Sequence, residues 1–154
     1  MKTAIVTFLS IFMLLSCHND DSNNDDSFIP RDITPVVIGK GDLSGTGREN
    51  ISPQRITIYE NEDWNTIINS IEEYYLEEEF TDTNVNFNEF QLIAAFDNIH
   101  ANKGYNIDIT GITENSNNIV VTIQTSYTPS FINYATQPFH IVKIPKSNKP
   151  VVFQ

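Results

Sequence analysis

The chain has 154 residues and a mass of 17.5 kDa, which suits one domain, and its 40% hydrophobic and 11% aromatic content is enough for a packed core. Twenty Asp and Glu against nine Lys and Arg give a net charge of -11, so the chain repels phosphate backbones and nucleic acid is not an expected partner. The single Cys excludes an intrachain disulfide and a Cys-built zinc site, and with only three scattered His no metal and no cofactor is expected.

Met1-Lys2 is a short basic start, followed by an apolar run from Ala4 to Leu15 that only Thr7 and Ser10 interrupt. A bilayer-spanning helix needs about 20 apolar residues, so this run has the length of a signal-peptide core instead. It ends in Leu14-Leu15-Ser16-Cys17, which resembles a bacterial lipobox. In that arrangement a small residue precedes the Cys, and the Cys is lipidated and becomes the first mature residue. The expectation is a leader over 1–16 and lipidation at Cys17, the membrane being reached through the lipid alone. Loss of Lys2 with the leader takes the net charge from -11 to -12. Residues 18–27 contain no apolar side chain and read as a solvated tether, so 17–32 is expected to link anchor to domain. Asp20 and Asp21 close behind the Cys resemble the acidic surface-export signal of Bacteroidetes lipoproteins, and His18 directly after it departs from the inner-membrane retention signal. The expected location is the outer membrane, on its periplasmic or its surface face.

Residues 33–154 read as a single domain. Pro35 to Ile38 is a short apolar strand, and Gly39, Gly41, Gly45 and Gly47 then suggest a loop. That loop lacks the spacing of a phosphate-binding or dinucleotide-binding motif. Arg55 to Tyr59 alternates as a strand does. Asn61 is placed to cap a helix, with Glu62 and Asp63 in the first turn and an apolar stripe of Trp64, Ile67, Ile68 and Ile71 that Tyr74 and Tyr75 extend. Five glutamates between Glu72 and Glu79 crowd the end of that helix, and no Lys or Arg occurs between Arg55 and Lys103. Such a run is either a solvated face or a surface for a cation or a basic partner.

Asp82 to Asn86 mimics the first ligands of a calcium loop, but Phe87 and Ile93 stand where that loop needs Gly and Glu, which leaves a polar loop. Phe90 to Phe96 is almost continuously apolar and reads as a central strand buried on both faces. Tyr105 to Thr110 and Ile119 to Ile123 alternate in the same sense around Glu114 to Asn118, which is hairpin chemistry, with Tyr105, Ile107 and Ile109 inward. Phe139 to Ile144 is a further strand, and Val151 to Phe153 closes the chain. The fold class expected is α+β: a mostly antiparallel sheet or sandwich of six or seven strands with one main helix packed on it.

No catalytic constellation emerges. There is no nucleophile elbow, and neither His100 nor His140 has a base or nucleophile at a recognisable spacing. The long connection Tyr127 to Tyr134 carries Tyr127, Phe131, Ile132 and Tyr134. Aromatics on a loop are either interface anchors or rings that fold back over a sheet edge.

Two segments resemble the C-terminal domain family of the protease-complex subunit PrcB. Asn102 to Ile109 (NKGYNIDI) is similar to the family's Gly-Tyr entry into a strand, with Asn102-Lys103 where the family is Gly-rich. Thr136 to Lys146 (TQPFHIVKIPK) with Lys149 to Phe153 (KPVVF) is similar to its ending, and the likeness spans about residues 90–153. The resemblance implies a module that does no catalysis of its own and supports a protein assembly, a surface protease being the expected partner class. A protease-inhibitor module and a lipoprotein that binds a ligand or polysaccharide are the alternatives. The motif carries over no catalytic residue. Gly104, Tyr105, Pro138, His140 and Pro145 read as structural, with Gly104 permitting a tight turn, Tyr105 packing inward, and the two prolines bracketing a strand.

Overall fold

The computed structural model describes residues 28–154. The leader, Cys17 and the tether through residue 27 lie outside the described residues. The chain forms β1 (Arg31–Asp32), β2 (Val36–Ser44), β3 (Gln54–Ile58), α1 (Asn61–Ser70), α2 (Glu73–Glu79), β4 (Phe90–Phe96), β5 (Tyr105–Glu114), β6 (Ile119–Tyr127), β7 (Thr136–Pro145) and β8 (Val151–Phe153). The strands make two four-stranded sheets, ordered β1-β5-β6-β8 and β2-β7-β4-β3. Every pairing is antiparallel except β6 with β8. The architecture is α+β, an open sandwich with eight strands and two short helices among the described residues.

Alternation decides what each face meets. In β4, Leu92, Ala94 and Phe96 point to one side, where with Phe139 and Ile141 of β7 they pack against Trp64 and Ile71. Ile93 and Ala95 point the other way and meet Ile107, Ile109, Ile112, Ile119 and Val121 of the second sheet, together with Val142 and Ile144. The sheet holding β4 and β7 is therefore the middle of three layers. This is why Phe90 to Phe96 shows no alternation, as a strand buried on both faces needs apolar residues throughout. A fully buried side chain of this size stabilises by about 1.5–3 kcal/mol.

Four expectations need correction. The glycine segment is not a loop up to Ser44, because β2 continues through Gly39 and Gly41 and pairs with β7 as far as Ser44 with Thr136. Two of its glycines admit neighbours. A Cβ on Gly39 would lie 2.7 Å from the Phe80 ring, and one on Gly41 would lie 2.0 Å from Glu79 Oε2. The helix also does not run on through Tyr75. Ile71 takes an extended conformation, drops its side chain into the core, and a second helix starts after Glu72. Glu72 and Glu73 thereby sit at a helix N-terminus, where the dipole favours them, rather than near a C-terminus that would oppose them. Asn61 is the first helical residue and Glu60 holds the cap position, without a side-chain cap bond. Finally, Pro138 lies inside β7 and does not mark its start, whereas Pro145 is its last residue.

Candidate functional site

The segment joining β6 to β7 is pinned at several points. Thr128 N–H donates to Gly104 O at 2.8 Å, Lys103 N–H to Ile132 O at 3.3 Å, and Gly45 N–H to Ala135 O at 3.0 Å. His100 and Thr136 exchange two backbone hydrogen bonds, at 2.8 and 3.0 Å. Tyr127 is the last residue of β6, paired with Tyr105, and not part of the connection as expected, while Phe131, Ile132 and Tyr134 sit on this anchored backbone; all four are exposed, and the Phe131 side chain stands wholly in solvent. The rings do not fold back over the sheet edge. All four lie at one end of the sandwich, but they do not form one cluster.

Tyr127 joins a stack. The Tyr105 ring lies 4.5 Å from Tyr127 and 3.7 Å from His100, to which it is almost parallel at 5°. His100 Nε2 is 3.1 Å from Asp97 Oδ2, so the imidazole is held by a carboxylate on its edge and a phenol on its face. Tyr105 thus opens the inward row of β5 without entering the core. It is half-buried and lines a shallow surface pocket with Asp97, His100 and Tyr127.

Tyr134 faces a different cleft of about 350 Å³, set between the end of β2, α2 and Lys103. Its walls include Asp42, Glu79, Tyr74, Tyr75, Tyr134 and Thr136. Lys103 Nζ lies 3.7 Å from Asp42 Oδ2 and 5.4 Å from the centre of the Tyr134 ring. Burial pushes the Asp42 carboxyl above its ordinary range against the opposing pull of Lys103. Burial, then the Asp42 charge, does the same to Glu79. The neighbouring Tyr134 phenol, followed by the two carboxylates, holds the Lys103 ammonium above its ordinary range in spite of desolvation. Burial likewise raises Tyr75. The cleft combines aromatic faces with two partly desolvated carboxylates that share one ammonium.

The remaining residues singled out in the sequence serve the frame. His140 lies between the sheets, and its Nδ1 accepts a hydrogen bond from Ile109 N–H at 3.0 Å. The ladder between β5 and β6 slips between Ile109 and Gly111, and His140 satisfies an amide next to that bulge. Gly104 has a φ of 111° and turns the chain into β5. Pro138 O accepts from Asp97 N–H at 2.9 Å, just past the end of β4. Among the described residues no group of three or more His, Cys, Asp or Glu is placed to hold a metal ion, and no helix is long and apolar enough to cross a membrane.

Sequence reasoning found Tyr134 but missed Asp42, Glu79 and Lys103 as its neighbours. They come from three distant segments, and only the tertiary fold unites them. Two signals were present: the isolation of Lys103 in a long stretch without other basic residues, and the glycine at position 41. Comparison with protein-family models, with curated proteins and with solved structures gives no match.

Proposed function

We propose that this chain is a non-catalytic lipoprotein of the bacterial envelope, anchored through Cys17 to the outer membrane, whose domain docks a protein partner at the end of the sandwich that carries Phe131. The observation behind this reading is a phenyl ring held fully in solvent on a backbone fixed by hydrogen bonds on either side of it. Folding gains nothing from such a ring, whereas aromatic anchors at the centre of an interface supply much of its affinity. Ile132 and Tyr134, one and three positions further along the same segment, are exposed as well. A pinned backbone also lowers the ordering cost of binding. The resemblance to the PrcB family supports a surface or secreted protease as the partner.

The test is capture from the native envelope by the lipidated protein, run in parallel with Phe131→Ser. Recovery of one protein at fixed ratio by the wild type, and its loss with the variant, is the expected result. Recovery unchanged by the variant, or no specific recovery by the wild type, overturns the docking role. If the captured protein is a protease, its turnover with and without this subunit separates a stabiliser from an inhibitor.

A further inference from the structure

Building on that docking reading, we infer that the cleft lined by Tyr134 receives an arginine side chain of the partner, its guanidinium lying between the Glu79 and Asp42 carboxylates and against the Tyr74 and Tyr134 rings. Charge is the first argument. Two carboxylates face the cleft and one ammonium serves them both, so one negative charge is left uncompensated in a partly desolvated setting. The surroundings add to it. Glu72, Glu73, Glu77 and Glu78 lie on or beside α2, and no Lys or Arg intervenes in sequence between Arg55 and Lys103, so the local field attracts cations.

The second argument is the way Glu79 is seated. Its carboxylate lies on the backbone of Gly41, in space that any side chain at that position would fill.

The rings choose between cations. Tyr74 and Tyr134 are 65% and 52% exposed and offer open faces. A guanidinium is planar, stacks on aromatic faces and donates to two carboxylate oxygens at once, whereas an ammonium does neither as well. A neutral saccharide would also stack on tyrosines, but it would leave the extra carboxylate charge uncompensated, so arginine fits this site better.

The full lipidated chain in detergent micelles, with its tyrosine rings followed by NMR, provides the test. The probes are N-acetyl-arginine amide, its uncharged isostere N-acetyl-citrulline amide, and cellobiose. The arginine probe should shift the Tyr74 and Tyr134 signals with a Kd on the order of millimolar and weaken as salt rises. Citrulline amide should bind about tenfold more weakly or not at all. Glu79→Gln should weaken the arginine probe by a similar factor. Gly41→Ala should do the same, since its Cβ displaces only the mobile end of Glu79 and leaves the fold intact. Equal shifts from arginine and citrulline, binding of cellobiose alone, or no response to the arginine probe overturns the inference. Phe131→Ser separates the two proposals. It should leave the arginine probe bound while abolishing partner capture. Capture that survives Glu79→Gln but not Phe131→Ser would retain the docking surface and discard the arginine, and the opposite pattern would retain the cleft and discard the docking surface.

Discussion

Pro138 has no amide proton, and its carbonyl points toward Asp97. The N–H that another residue would carry there would point the same way, toward the Asp97 carbonyl. Gln137 fills the gap: its Nε2 donates to Asp97 O at 3.0 Å and to Ile51 O at 2.9 Å while the side chain is buried. One amide thus replaces a missing ladder bond and ties down the loop before β3. Gln137→Leu keeps the approximate volume and removes both donors, so it should cost about 1–3 kcal/mol in urea unfolding. An unchanged urea midpoint would contradict this role. His140 works in a similar way, with a consequence for pH. Its Nδ1 accepts the Ile109 amide, so the ring is held neutral, and burial, then the Lys40 charge, pushes its pKa below the ordinary 6.5. Between the folded and unfolded values the unfolded chain binds more protons. The contribution of this ring is therefore fully present above pH 6.5 and declines as pH falls through the imidazole range toward the folded value. Urea unfolding at stepped pH should show that decline in the wild type, and a reduced slope in His140→Gln. Equal slopes would mean that the ring is not held neutral.

The elements legible from the sequence are those whose periodicity their surroundings leave undisturbed. The Trp64 stripe of α1, the unbroken apolar run of β4 and the alternation over Tyr105 to Ile109 and Ile119 to Val121 each report one packing environment, whereas past the bulge at Ile109 and Gly111 the buried positions of β5 change phase and the end of β6 is exposed. The glycines of β2 sent the opposite signal. Glycine is the usual mark of a turn, but at positions 39 and 41 it makes room for Phe80 and Glu79, residues about 40 positions away that no local pattern announces. The same blindness hid the cleft, since Asp42, Glu79 and Lys103 are unremarkable in their own segments. The turn into β5 at Gly104 was legible because a single residue enforces it. Its φ of 111° is a conformation that side chains rarely adopt, and a Cβ there would lie 2.0 Å from Thr128 O. Backbone strain and backbone contact together predict that Gly104→Ala destabilises by about 2–3 kcal/mol. Because Thr128 N–H bonds to Gly104 O, the variant should also speed hydrogen exchange at the Thr128 amide. Destabilisation without faster exchange there would show that the turn and the Phe131 segment are not coupled.

On the scale of the molecule, β5 separates the two ends. Tyr105 opens it beside the candidate site, and Glu114 closes it beside β1. Ten strand residues at roughly 3.3 Å each set these ends about 30 Å apart. The Glu114 end is clamped. Its carboxylate takes Arg31 Nη2 on one oxygen and Lys149 Nζ on the other, each at 2.7 Å, and Lys149 in turn lies 4.0 Å over the Phe28 ring. Lys149, then Arg31, hold the Glu114 carboxyl below its ordinary range. The chain therefore enters the domain at the end opposite Phe131. If Cys17 carries the lipid, the chain reaches the domain at the Glu114 end, and the Phe131 end, where docking is proposed, is expected to project away from the bilayer. In vesicles bearing the lipidated protein, a fluorophore at Phe131→Cys should be little quenched by spin-labelled headgroups, and one at Asn117→Cys in the hairpin beside Glu114 should be strongly quenched. Glu114→Ala frees Arg31 and Lys149 and should shrink that contrast. Equal quenching at both positions in the unclamped and the clamped protein would mean that the domain lies flat on the membrane, with the Phe131 end facing lipid instead of a partner.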